Sequence, residues 1–239
     1  MHPPDARAIN LAAERWPALP LAEWQATLDT LHMWLQIIGK IKLRLAPFRN
    51  QWWHITLHPT AHGLTTGPIP YGDRAFEIDL DFLDHTMRVR TSDGEVRTLA
   101  LRPQTVADFY RELMAALGEL RIQVAINPVP VEVPHTIPFD TNEVHEDYDP
   151  EYVTRWWRIL LATTAVLQQY DSHFSGKSSP PQFFWGSFDL NQTRHSGRPA
   201  DPPRGAPRFV QLAENEENAA CGFWPGNTAM SGVTFGEPA

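Results

Sequence analysis

Apolar residues recur at Trp24, Leu28, Leu31, Leu35 and Ile38, the spacing of one helix face, and predict an amphipathic helix over residues 21–39 after the punctuation of Pro17 and Pro20. From Ile41 the period drops to two. Ile41, Leu43 and Leu45 alternate with Lys40, Lys42 and Arg44, so a strand is predicted there and a second over residues 52–57. Residues 61–72 read as turns. Phe76, Ile78, Leu80 and Phe82 alternate with Glu77, Asp79 and Asp81, the pattern of a half-buried strand with an acidic outer face. A hairpin follows, residues 86–91 and 95–101 flanking Ser92-Asp93-Gly94, with Asp-Gly the expected turn pair.

A second helix is predicted over 106–117, with Thr105 as N-cap, Asp108 in capping-box position and Gly118 as terminator. Residues 121–126 read as a strand, and the proline-spaced stretch 128–138 as extended surface chain. A third helix, predicted to be the longest, starts at Asp149-Pro150 and runs to about Tyr170. An aromatic strand over 183–190, a short strand over 209–212 and an acidic run Glu214, Glu216, Glu217 complete the reading. The sum is a single α+β domain over 1–239, an antiparallel or mixed β-sheet with about three helices packed on it. Residues 1–20 read as an N-terminal extension and 199–239 as a loop-rich C-terminal part.

Composition narrows the function classes. A chain of 239 residues, 42% hydrophobic and 11% aromatic, can bury a sizeable core, and its net charge of -8 leaves no basic stripe for nucleic acid. One cysteine, Cys221, excludes a disulfide framework or a multi-cysteine metal site and points to a reducing cytoplasm. The N-terminus lacks a secretory pattern, and no apolar run approaches the roughly 18 residues of a membrane span.

The densest chemistry lies in 174–198, where Lys177 precedes the aromatic strand and Asp189, Thr193, Arg194, His195 and Arg198 follow it. Solvated loops do not need four aromatics, and core strands do not need an acid and two arginines at their exit. Other motifs are weaker. His54, His58 and His62 recur every four residues, but on a strand-like pattern this is no recognised ligand signature, so no metal is expected. His54-Ile55-Thr56-Leu57 is the tetrad that two-histidine phosphoesterases use in duplicate, and no second tetrad exists. Gly176-Lys177-Ser178-Ser179 lacks the earlier glycine and preceding strand of a phosphate loop, and Ser187 lacks the second glycine of a nucleophile elbow. Nothing supports a nucleotide cofactor. Of the cluster at 145–149, Asp149 reads as a helix cap with Glu146 and Asp147 favouring the dipole, which leaves His145 and Tyr148 free to face a ligand.

Gly39-Lys40-Ile41-Lys42-Leu43, the run Gly63 to Gly72, Val106-Ala107-Asp108-Phe109-Tyr110, Gly176-Lys177-Ser178-Ser179-Pro180, Phe183 to Leu190, Thr193 to Arg198 and Gly222-Phe223-Trp224-Pro225-Gly226 resemble successive blocks of an uncharacterised bacterial family, domain of unknown function 5996. The resemblance spans nearly the whole chain and brings no activity. It raises His145, Tyr148, Asp149, Lys177, Trp185, Asp189, Arg194, Arg198 and Glu217 above His58, His62 and His173. This chain departs from it twice, with Glu216 where the family has histidine, and with a stop at Glu237-Pro238-Ala239 where family members continue into a further strand and helix. The latter implies a missing C-terminal segment.

The functional expectation is a small-molecule pocket around 174–198 closed by the 145–149 and 214–226 loops. Trp185, Trp224 and Tyr148 are its expected walls, Lys177, Arg194 and Arg198 the hold on an anionic or hydroxyl-rich ligand, and Asp189, His145 or Glu217 the acid or base of a hydrolytic or proton-transfer reaction. Asp189 is expected to pair with Arg194, and Lys177, Asp189, Arg194 and Arg198 to converge. A non-catalytic module binding a sugar or protein through exposed tryptophans competes with this reading, as does a purely structural ion-pair network over 189–198.

Overall fold

A computed structural model describes residues 15–134, 136–206 and 208–226. The extreme N-terminus and the stop at 237–239 lie outside the described residues. Helix α1 (Leu21–Leu45) is buried on almost every side from Trp24 to Lys42. It does not give way to a strand at Ile41, because Trp34, Ile37, Ile38 and Ile41 complete a helical apolar face and no stop signal intervenes. The helix ends where Pro47 forces Ala46 into an extended conformation. The apparent alternation arises from Lys40 and Lys42, which are polar yet buried. At 25 residues α1 also exceeds the predicted longest helix.

Strands β1 (His58–Pro59), β2 (Gly63–Thr65), β3 (Ile69–Tyr71), β4 (Arg74–Asp81), β5 (Thr86–Thr91) and β6 (Val96–Ala100) form one antiparallel sheet in the order β1-β2-β4-β5-β6, with β3 also on β4. β2 and β3 lie along the same edge of β4, broken where Gly67 takes a φ of +61 and Pro68 offers no donor. Residues 52–57 are not the predicted strand. Gln51 and Trp52 both adopt left-handed φ values, 53 and 61, and turn the chain back on itself.

Helix α2 (Val106–Glu119) starts as predicted: the Asp108 amide donates to the Thr105 hydroxyl at 3.0 Å. It runs past Gly118 and ends where Arg121 takes the left-handed position instead. Residues 121–126 carry no strand pairing. Helix α3 (Pro150–Asp171) is capped by Asp149, whose carboxylate accepts from the amides of Glu151 (2.9 Å) and Tyr152 (3.3 Å). Asp149→Ala should therefore cost about 1 kcal/mol, read as a melting-temperature drop of roughly 2–4 °C; an unchanged melt would show the cap to be idle.

Strands β7 (Gln182–Phe184), β8 (Asp189–Pro199) and β9 (Glu216–Phe223) make a second antiparallel sheet, and the short helix α4 (Arg208–Ala213) replaces the strand predicted at 209–212. The aromatic strand predicted over 183–190 is thus a hairpin: β7, a turn at 185–188 and the start of β8. Reciprocal backbone bonds between Leu57 and Phe183 (2.9 and 2.8 Å) tie the sheets together. Aromatic packing unites the core, with Trp34 stacked between Phe109 (4.5 Å) and Tyr148 (5.3 Å) and Trp156 against Phe188 (4.9 Å). The chain is a single α+β domain with antiparallel sheets. Among the described residues no helix is long and apolar enough to cross a membrane.

Candidate functional site

Beside its apolar face, α1 carries a polar stripe at Gln25, Asp29, His32, Gln36 and Lys40, spaced four, three, four and four residues apart and therefore on one side of the helix. Two irregular segments hang on it. Lys40 Nζ donates to the carbonyls of Asn127 (3.2 Å) and Val129 (2.6 Å), and Gln36 bonds both the N–H (2.8 Å) and the C=O (2.7 Å) of Val131. His32 Nε2 lies 3.1 Å from the carbonyl of Trp185 and 2.9 Å from that of Gly186, contacts that only a ring N–H can make. Burial pushes the His32 pKa down, so the ring is neutral with its proton on Nε2.

Between these segments opens a cleft of about 590 Å³. Its polar lining brings together Asp29, His32, Glu132, His145 and Asp189, and the indole of Trp224 forms one wall, fixed by a bond from Nε1 to the Ser187 carbonyl (3.1 Å). Leu28, Met33 and Phe188 supply apolar surface. No lysine or arginine is among the described lining residues.

Three carboxyls without a cation must hold their protons more tightly than carboxyls in water. Burial raises the Asp189 pKa against the lowering effect of its hydrogen bonds from Ser187 Oγ and from Asn191 Nδ2 (3.0 Å). Glu132 is an exposed residue at the open side of the cleft, yet desolvation of its carboxyl, and after it the charge of Asp189, raises its pKa. Asp29 is raised by burial, with the bond from Gln25 Nε2 (2.7 Å) and the proximity of His145 pulling the other way. His145 is oriented through Nδ1, 3.0–3.1 Å from the carboxamide of the buried Asn142.

Two residues of the cleft, Glu132 (φ 57) and Phe188 (φ 64), occupy the left-handed region without being glycine. Each such residue costs on the order of 1–3 kcal/mol and persists only where its surroundings over-determine it. The gap that receives Glu132 is left by Gly186, where an added Cβ would stand 2.5 Å from Glu132 Oε1.

Of the catalytic and ligand-binding residues expected from sequence, His145, Asp189 and Trp224 line this cleft and the others do not. Trp185 is buried, its Nε1 donating to the Ile55 carbonyl at 2.9 Å, because the turn at 185–188 folds the ring back against α1. Tyr148 is also core, with its hydroxyl 2.9 Å from His85 Nδ1. Lys177 pairs with Glu216 (2.7 Å) and lies over the Trp53 ring. Arg194 sits 3.4 Å above the Tyr170 ring with Asp171 at 3.7 Å, so the expected Asp189–Arg194 pair does not form. Arg198 and Glu217 form an exposed pair at 2.6 Å. Three of the four expected to converge are spread along β8, where Arg198 stands nine positions beyond Asp189, roughly 30 Å of strand, and Lys177 lies beside the strand with its carbonyl accepting from the His195 amide at 2.9 Å. Asp29, His32 and Glu132 escaped the sequence reading, although the polar stripe on α1 was a visible signal for the first two.

The histidines at 54, 58 and 62 are likewise dispersed. His54 Nδ1 accepts from the Arg49 amide (3.3 Å), and His62 lies 3.6 Å from Asp81. Among the described residues no group of three or more histidine, cysteine, aspartate or glutamate side chains is placed to hold a metal ion.

No curated protein and no solved structure matches the chain. Residues 16–235 match a family of unknown function, DUF5996, and the chain belongs to that family.

Proposed function

We propose that the cleft binds a small, hydroxyl-rich molecule, uncharged or cationic, and acts on it by general acid–base chemistry of a hydrolytic or proton-transfer kind. The observation that carries this reading is the cleft itself, which gathers Glu132, Asp189 and His145 beside an aromatic wall, with burial raising the pKa of both carboxyls. One carboxyl of such a pair donates a proton while the other, ionised, accepts one, and His145 offers a second proton carrier on the same cleft. Anionic ligands are disfavoured, since Lys177, Arg194 and Arg198 are engaged with Glu216, Asp171 and Glu217. The proposed compartment is the cytoplasm, in keeping with the single cysteine.

A thermal-shift screen of polyols, amino sugars, small carboxylic acids and phosphate esters, followed by product analysis on every hit, tests the proposal. Polyols and amino sugars are expected to bind, and Asp189→Asn or Glu132→Gln to lower turnover about 10²- to 10⁴-fold with the fold intact. Equal turnover by wild type and both variants, or hits confined to phosphate esters, would overturn it. The half-buried indole of Trp224 on the cleft wall favours a second reading, a non-catalytic binding module. In that case ligands are recovered unchanged and Asp189→Asn costs only about 1–3 kcal/mol of affinity.

A further inference from the structure

Gln36 is fully buried in α1, yet its carboxamide faces a residue that is itself 40% exposed, Val131. A primary amide carries a donor and an acceptor side by side, and here they engage the C=O and N–H of one residue, as an opposing strand residue would. The segment around it is held by side chains rather than by a sheet, with Lys40 on the carbonyls of Asn127 and Val129 upstream of the clamp. Prolines at 128, 130 and 134 remove backbone donors, and no strand includes any residue from 127 to 134. The next residue after the clamp is Glu132 in its left-handed conformation. One turn earlier on the same helix, His32 holds the carbonyl of Gly186, the residue against which Glu132 Oε1 rests. Gln36 Nε2 and His32 Nε2 are 3.1 Å apart, so the two anchors stand side by side, each donating to its own backbone carbonyl rather than to the other.

We propose that Gln36 is a positioning residue of the cleft: its two-way bridge to the Val131 backbone holds Glu132 in the left-handed conformation and so keeps its carboxyl against Gly186 in the cleft lining. The proposal deepens the acid–base reading given above, but its test requires no substrate. His32 fixes one side of the Glu132–Gly186 contact and Gln36 the other, and both belong to a rigid helix. A helix can therefore impose a costly backbone conformation on a chain that has no sheet of its own to impose it.

The experiment follows the side-chain carboxyl resonances of Glu132 and Asp189 against pH in the full chain, together with amide exchange at Val131. In wild type, Glu132 is expected to titrate above a solvated glutamate, because desolvation and Asp189 both raise it. Gln36→Met removes both bonds at similar volume. It should return the Glu132 midpoint to that of a solvated glutamate and speed exchange of the Val131 amide at least about tenfold. Val131→Pro removes the N–H that Gln36 Oε1 accepts from while keeping the carbonyl, at an exposed position outside the core, and should move Glu132 in the same direction even if Gln36→Met does not fold. Gly186→Ala, which leaves the clamp intact and closes the gap, should displace Glu132 from the other side. A purely structural role for Gln36 would lower the melting temperature and leave the Glu132 titration where it was. That result in either folded clamp variant overturns the proposal. Absence of turnover on any substrate, with the titration shift present, would refute the acid–base reading and leave the clamp standing.

Discussion

Gly39→Ala is expected to destabilise the protein by about 2–4 kcal/mol, although the same change in most helix interiors stabilises by about 1 kcal/mol. The expectation rests on what lies beside it. An ideal Cβ on Gly39 would fall 2.3 Å from three atoms of the Trp185 indole, whereas one in ten real contacts reaches even 3.4 Å. Trp185 cannot retreat without loss, being 4% exposed and bonded through Nε1 to Ile55. Overpacking of a rigid bicyclic ring thus outweighs the gain in helix propensity, and the melting temperature should fall by roughly 10 °C. The control is Gly118→Ala in α2, where nothing lies within 4 Å of the added carbon; that variant should gain up to about 1 kcal/mol. If both variants are as stable as wild type or more so, the close approach of Trp185 to α1 is wrong. The same collision would shift the Trp185 carbonyl that His32 engages, so the cleft should be disturbed along with the core.

Gly39 also marks where reading the sequence by pattern stops working. The helix starts at Thr105 and Asp149 and the Asp93-Gly94 turn are legible because capping and tight turns are local chemistry, decided within four residues. Residues 40–45 are misread because a polar side chain is taken to face water, whereas Lys40 and Lys42 end on carbonyls 14 to 89 positions away. The chain reversal at Gln51 and Trp52 has no glycine to announce it. In the hairpin at 185–188 only Gly186 gave notice, since the left-handed residue itself is Phe188.

For the site, a dense stretch of sequence was equated with a dense region of space. That holds for residues on a loop and fails on an extended strand, which carries successive charges about 3.3 Å apart along its length. Asp189 stands at the cleft end of β8, while Arg194 and Arg198 are carried away to α3 and to the outer end of β9. Conversely, Asp29 and His32 share a cleft with Glu132 only because α1 and the proline-rich segment pack together, which no local pattern encodes. His145 was singled out for a different reason, because capping left it unexplained; the same reasoning picked Tyr148, which is core.

Stability is expected to rise by about 3 kcal/mol between pH 8 and 10.5 through Lys42 alone, and Lys42→Met should abolish that rise. Lys42 is 6% exposed, and its ammonium donates to the carbonyls of Thr56 (2.6 Å) and Thr66 (2.5 Å). Two carbonyl dipoles do not replace the hydration of a charge, and burial lowers the Lys42 pKa from 10.5 to about 8. The sign follows from proton counting. Below pH 8 both folded and unfolded chains bind the proton, and Lys42 contributes no slope. Between pH 8 and 10.5 the unfolded chain still binds it while the folded chain has released it, so raising the pH favours the folded state. Above 10.5 neither binds it and the gain is complete. Urea unfolding of wild type and Lys42→Met at half-unit steps from pH 7.5 to 10.5 isolates the effect, because tyrosines and the other lysines titrate alike in both proteins and cancel in the difference. The difference should steepen to about 1.4 kcal/mol per pH unit near pH 9, one proton's worth. Parallel curves would mean that Lys42 keeps its charge and its hydration in the folded state, and that its ammonium does not lie inside the core.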